Sequence, residues 1–266
     1  MPIEKAVSSD AKSDAKATKI AIVTGGSRGL GRNTVLSLAK HGVNSILTYN
    51  SNRAEADKVV SAVSKTGAKA IALQLDTGSV GTFDAFVQSV RSALNTLGAK
   101  RFDYLVNNAG NSHNKPFDQT TEEELDGLYN VHFKGVFFLT QKLLPLINDG
   151  GRIVNISSGL TRFSYPGRAS YASMKGAIEV LSRYLAKELG ARGIAVNTVA
   201  PGAIATDFSG GMVRDNPEVN KHIAEITALG RAGVPDDIGP MIASLLSEEN
   251  RWVNGQRIEV SGGMQL

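Results

Sequence analysis

Residues 19–31 read KIAIVTGGSRGLG, and how this stretch is parsed decides the fold. Ile20 to Val23 is an unbroken apolar run, as expected of a short strand covered on both faces. Within KIAIVTGG (19–26) the run ends in a glycine turn, and NTVLSLAKHG (33–42) follows with helical periodicity until Gly42 stops it. Strand, glycine-rich turn and helix in that order open a βαβ unit. There the turn TGGSRGLG, Thr24 to Gly31, brings backbone amides to the positive end of a helix, where a phosphate binds. Turns also need glycine for steric reasons alone; the position after the first strand is what favours a nucleotide. No Gly-Lys-Ser/Thr follows, so this is not a nucleoside-triphosphate loop.

The same alternation continues. NSILTYN (44–50) reads as a strand, AEADKVVSAVSKTG (54–67) as a helix, AIALQLD (70–76) as a strand, 79–97 as a helix and YLVNNAG (104–110) as a strand. Thr121 with Glu124 forms a capping box that opens the next helix, and GRIVNISS (151–158) is a strand. ASYASMKGAIEVLSRYLAKELG (169–190) is a long helix and AVNTVAPG (195–202) a strand; 205–230 is less regular, and RIEVSGG (257–263) closes the chain as a short strand. This order predicts an α/β fold, a parallel sheet with helices on both faces, in one domain over 19–266. Residues 1–18, rich in Ala, Ser, Lys and Asp, are expected to be a mobile tail.

Composition narrows the function. The 266 residues carry 29 basic and 25 acidic side chains, scattered rather than gathered on one segment, which argues against a nucleic-acid partner. Cysteine is absent, so neither a disulfide scaffold nor a thiolate metal site is available, and no metal is expected. No run approaches the roughly 18 apolar residues of a membrane span. The first residues lack a secretory core, so a cytoplasmic protein is expected.

Charge selects the dinucleotide. A cofactor with a free 2′-hydroxyl calls for a carboxylate after the second strand, but TYNSNR (48–53) has none. Arg28 and Arg53 are placed to meet a 2′-phosphate instead, which favours NADP(H) over NAD. In YASMK, Tyr171 and Lys175 lie four apart on one helix face, where an ammonium should draw the phenol pKa down from about 10. Such a tyrosine donates a proton to a forming alkoxide. Ser158, thirteen residues earlier at a strand end, offers a hydroxyl to the carbonyl oxygen. NNAG (107–110) also ends a strand, so all these motifs fall on the edge of the sheet where ligands bind.

Taken together, the motifs resemble the short-chain dehydrogenase/reductase family from about residue 18 to the end. The resemblance implies a doubly wound, seven-stranded Rossmann sheet and hydride transfer between a nicotinamide and a carbonyl carbon. It casts Ser158, Tyr171 and Lys175 as catalytic. It assigns cofactor contacts to Gly25, Ser27, Arg28, Gly29, Leu30 and Gly31; to Asn50, Arg53 and Asp76; to Asn108, Ala109 and Gly110; to Tyr171 and Lys175; and to Pro201, Gly202, Ile204 and Thr206. Family members pair through the helices beginning near 121 and 169, which implies a homotetramer or homodimer.

One position departs from the family. Where it carries an Asn that holds a relay water beside the lysine, this chain has His132, 22 residues after Gly110 and five before Phe137. Asn130 lies about 200° around the helix and is no substitute. His132 shares its stripe with Leu125, Leu128, Val136 and Leu139 and should face inward. Two roles are open: a buried structural histidine, or a neutral ring taking the place of the relay Asn.

The reading is an NADPH-dependent reductase of a small-molecule ketone or aldehyde. Its substrate loop falls at 207–228, where Gly210-Gly211 permit movement and Phe208, Met212 and Val213 offer apolar lining. That suggests a ketone with an apolar body, a 3-oxoacyl thioester among the candidates, and Arg162 and Arg168 could greet an acidic carrier protein. The alternatives are an alcohol or sugar dehydrogenase working in the oxidising direction and a silent NADP-binding regulator.

Overall fold

The computed structural model describes residues 18–266; the tail expected at the N-terminus lies almost wholly outside them. Seven parallel strands form one sheet in the order β3-β2-β1-β4-β5-β6-β7. They are β1 (Ile20–Val23), β2 (Asn44–Tyr49), β3 (Ala70–Gln74), β4 (Phe102–Asn107), β5 (Ile147–Ile156), β6 (Ala195–Pro201) and β7 (Arg257–Val260). The strand order reverses between β1 and β4, which pair directly through Ile22 and Leu105. A crevice opens at that point beyond the strands' C-terminal ends. This is the doubly wound Rossmann architecture expected from the sequence.

Alternation within β1 shows how the two helical layers are recruited. Ala21 and Val23 join the core under α1 (Gly29–Lys40), α2 (Arg53–Ser64) and α9 (Pro235–Leu245). Ile20 and Ile22 join the opposite core, under α3 (Phe83–Thr96), α5 (Gly135–Leu143) and α6 (Ala169–Glu188). Phe83 and Phe102 are wholly buried in that second layer, each worth about 1.5–3 kcal/mol of apolar burial.

The helix predicted to contain His132 is three pieces. α4 (Glu122–Tyr129) opens with the anticipated Thr121–Glu124 capping box, a π turn spans Asn130–Lys134, and α5 follows. The wider turn rotates the first piece relative to the second. This corrects the expected stripe: Leu128, His132 and Leu139 are buried, whereas Leu125 is 40% exposed. Gly135 closes the turn against the Thr77 carbonyl, where a Cβ would not fit.

The irregular region contains two short helices, α7 (Met212–Asp215) and α8 (Pro217–Glu225). α9 was not anticipated. It packs on α1 so closely that a Cβ on Gly239 would lie 2.8 Å from the Asn33 carbonyl oxygen. Among the described residues no helix is long and apolar enough to cross a membrane.

Candidate active site

The crevice is floored by contacts between the β1 turn and the end of β4. Thr24 Oγ1 accepts hydrogen bonds from the amides of Asn108 (2.9 Å) and Ala109 (3.0 Å). Asn108 Nδ2 donates back to the carbonyls of Thr24 (2.9 Å) and Gly25 (3.2 Å). Gly25 takes φ +63°, and a Cβ on Gly31 would lie 2.9 Å from the Gly25 carbonyl carbon. Only glycine satisfies both positions, so the turn stays low in front of the α1 N-terminus. Ser27, Gly29 and Leu30 are half-buried along it, and Arg28 is exposed at its lip.

Other predicted contacts surround this floor. Thr206 is buried with its side chain 3.8 Å from where a Gly29 Cβ would stand, and its Oγ1 accepts from the Phe208 amide. Pro201 ends β6; Gly202 donates to the Val260 carbonyl, and Ile204 bridges to Gly233. Asp76 is exposed and closes its own turn, accepting from Gly78 N (2.9 Å) and Ser79 Oγ (2.7 Å). Asn50 is exposed just beyond β2 and Arg53 at the first position of α2, turned toward Asp57 at 3.3 Å.

Tyr171 and Lys175 are both buried on α6. Lys175 Nζ donates to the Ile156 carbonyl at the end of β5 (2.8 Å) and lies 5.6 Å from the Tyr171 ring centre. Burial alone brings the Lys175 pKa down to about 8. The expected depression of the Tyr171 pKa is corrected. Burial pushes the phenol well above its ordinary range, and the opposing charge that reaches it is that of Arg168. In the chain by itself, desolvation of the phenolate outweighs the neighbouring cations. Ser158 takes an extended conformation beyond β5, and its Oγ accepts from the Leu160 amide at 3.2 Å.

His132 meets the same site from the other side. Its ring lies edge-on to Tyr171, with centres 5.2 Å apart. Nε2 is within hydrogen-bond distance of both the carbonyl oxygen (2.8 Å) and Oδ1 (2.9 Å) of Asn111. Both partners are acceptors, so Nε2 carries the proton and Nδ1 keeps a lone pair. That Nδ1 is buried and unpartnered. Burial first, and the Lys175 charge second, bring the His132 pKa down to about 3, so the ring is neutral at physiological pH. Gly110 makes room for it, since a Cβ there would lie 2.7 Å from His132 Cε1.

The arginines offered to an acidic carrier protein are already engaged. Arg162 grips both carboxylate oxygens of Glu259 and the carbonyls of Met264 and Gln265, and Arg168 donates to the His113 carbonyl. Phe208, expected as apolar lining of the substrate loop, lies with its ring centre 6.2 Å from that of Tyr171. Glu179 and Arg257, not singled out in the sequence, form an ion pair behind Ser158. The signal for Glu179 was its place four residues after Lys175, on the same face of α6.

The fold agrees with what comparison with known proteins finds. A family model described as enoyl-(acyl carrier protein) reductase matches residues 25–265. The chain belongs to the short-chain dehydrogenase/reductase family and is an oxidoreductase of the ketoreductase kind. It is 37% identical to the hydroxynaphthalene reductase-like protein Arp2 of Metarhizium brunneum, over 93% of this chain and 95% of that one. Among solved structures it resembles the promiscuous reductase LugOII, which catalyses keto-reduction at C1 during lugdunomycin biosynthesis. That match has 37% identity and a TM-score of 0.89 over 93% of this chain and 98% of the other. The angucycline C-6 ketoreductase LanV, solved with bound NADP, is 34% identical with a TM-score of 0.88 over 93% and 95% of the two chains.

Proposed function

We propose that the protein is an NADPH-dependent carbonyl reductase that turns a ketone on an apolar, ring-bearing body into an alcohol. The observation that carries the reading is the setting of Tyr171. It is buried, followed one turn later by Lys175, and faced by the half-exposed ring of Phe208. The keto-reduction at C1 named for LugOII and the angucycline C-6 ketoreductase named for LanV support a ketone substrate. The ion pair of Arg162 with Glu259 leaves that arginine less open to an acidic carrier, which favours a free ketone.

The residues present fit a dinucleotide, because Gly25 and Gly31 let the turn pack closely on Asn108 and Ala109 and stay low before the α1 N-terminus. Gly25 to Gly31 would hold the phosphates, Arg28 with Arg53 the 2′-phosphate and Asp76 the adenine. Asn108 to Gly110 would line the cofactor's path, and Ile204 with Thr206 would hold the carboxamide. Bound there, the reduced nicotinamide supplies a hydride to the carbonyl carbon.

The chain's own residues manage the oxygen. Ser158 donates a hydrogen bond to it. Tyr171, kept protonated by burial, gives up its proton as the alkoxide forms. Lys175, with its pKa near 8, returns a proton to Tyr171 close to neutral pH. His132 presents its neutral Nδ1 as the acceptor for the water that feeds that lysine. Residues 207–228 form the substrate-facing segment. Copies of the chain assemble through α4–α5 and α6, on whose outer faces Tyr129, Phe137, Val180 and Tyr184 stand exposed.

The test is NADPH consumption by the purified protein on 2-tetralone, menadione, ethyl acetoacetate and an acetoacetyl thioester, with NADH alongside. Fastest turnover of the ring ketones with NADPH is expected. Turnover confined to the thioester would replace the substrate class. Tight NADPH binding with no turnover on any of the four would leave a silent regulator as the better reading.

A further inference from the structure

Behind the candidate catalytic residues, one turn of α6 beyond Lys175, lies a charged cluster that the chemistry above does not use. Glu179 Oε1 accepts hydrogen bonds from Ser157 Oγ (2.7 Å), Thr161 Oγ1 (2.7 Å) and Arg257 Nε (2.8 Å). Arg257 comes from β7, and its Nη2 also donates to Thr161 Oγ1 (3.1 Å) and to the Ser158 carbonyl (3.4 Å). Thr161 Oγ1 stands 2.9 Å from that same carbonyl. With a single proton, its hydroxyl donates to either Glu179 or Ser158 at one time. The carboxylate and the guanidinium are mostly covered, with side chains 13% and 24% exposed.

The geometry gives this cluster a task. Ser158 is flanked by two residues that Glu179 holds directly, Ser157 before it and Thr161 three positions after it. Ser157 is also tied to β6, through its amide to the Val199 carbonyl (2.7 Å). In extended chain, neighbouring side chains point to opposite faces. Fixing Ser157 toward α6 therefore turns Ser158 toward the crevice.

We infer that Glu179 and Arg257 are a positioning pair, drawn from α6 and β7, that holds the Ser158 hydroxyl in register with Tyr171 and Lys175. The inference rests on the reading of Ser158, Tyr171 and Lys175 as the reacting set. Neither Glu179 nor Arg257 touches the reacting atoms; both act through Ser158. Removing the carboxylate takes the shared acceptor from Ser157, Thr161 and Arg257 together, leaving Arg257 to its other partner, Glu259 (3.0 Å), and Thr161 to the Ser158 carbonyl.

The test is a double-mutant cycle on the full-length protein, with NADPH and the fastest ketone of the four-compound panel. Glu179→Ala should lower kcat by roughly tenfold to a hundredfold, as a displaced catalytic group does, and leave NADPH affinity unchanged. Glu179→Gln, which keeps the Oε1 acceptor, should recover most of that loss. In a Ser158→Ala background Glu179→Ala should cost nothing further, since no hydroxyl remains to be placed. A merely structural role would cost the same in both backgrounds. Wild-type kcat in folded Glu179→Ala, or equal losses in the two backgrounds, overturns the inference. Should Glu179→Ala not fold, Arg257→Lys runs the same cycle, keeping the charge while losing the planar fork. Ser158→Ala with undiminished turnover, or a wild type inactive on the whole panel, would instead bring down the catalytic reading beneath it.

Discussion

The two banks of the crevice are built on opposite rules. On the β1 side, position after position is fixed by what cannot fit. Gly31 is walled in by Gly25 and Asn108, Gly25 needs a positive φ, and Thr24 is tied to two amides of the next strand. On the 207–228 side the chain is open. Ser209, Gly210 and Gly211 all take positive φ, a Cβ on Gly210 would meet nothing within 4 Å, and Phe208 and Met212 are 43% and 48% exposed. One bank tolerates almost no change of shape, whereas the other presents side chains whose identity can vary without disturbing the fold. On the proposed function, the closed bank would hold the cofactor and the open bank would set the substrate.

Four substitutions break or sharpen this contrast. The largest effect is expected where the banks meet: Tyr171→Phe should cut turnover roughly a thousandfold and leave NADPH binding intact. Retained turnover would remove the proton donor from the mechanism. On the closed bank, Gly31→Ala should weaken NADPH binding by roughly a hundredfold, about 3 kcal/mol, in a fluorescence titration. Undiminished binding would show that the turn is less rigid than its packing implies.

Between the banks, His132 should register in stability. Its pKa is lowered from 6.5 to about 3. As pH falls through 6.5 the unfolded chain takes up a proton that the folded chain refuses until about 3. Stability therefore drains away across that window, by on the order of 2 kcal/mol at about pH 4.5. His132→Asn has nothing to titrate there. Urea midpoints near neutral pH and at about pH 4.5 should lie closer together in this variant than in the wild type. An equal acid loss in both would move the cause elsewhere.

On the open bank, Phe208→Ala should raise KM for a ring ketone by about tenfold, the worth of an aromatic contact, and spare NADPH. A matching loss in NADPH affinity would mean that the banks are not independent.

Legibility in the sequence follows the same division. The strand–turn–helix opening, the seven strands and the placing of the candidate residues beyond their C-terminal ends could be read because sterics restrict each to few residue types. α9 could not be read as easily, since Gly239 and Pro240 stand in the middle of PDDIGPMIASL and weaken its helical signature. Gly239 is there for the approach to Asn33, a fact of packing that no local pattern carries. The π turn at Asn130–Lys134 escaped a reading based on a constant 3.6-residue period, and with it the exposure of Leu125. The shift of Tyr171 was given the wrong sign because spacing shows a lysine four residues away but not how deeply both groups are buried. Arg162 and Arg168 looked free for the same reason, their partners lying far along the chain at Glu259 and His113.

The contact between Gly110 and His132 carries a consequence for how this active site can change over generations. With imidazole at 132, any side chain at 110 runs into the ring, so a mutation there arriving first is met by a clash. A smaller residue at 132 clears the space and makes the second change tolerable. The path between the two states thus has a direction: its first step is taken on the helix and only its second on the loop.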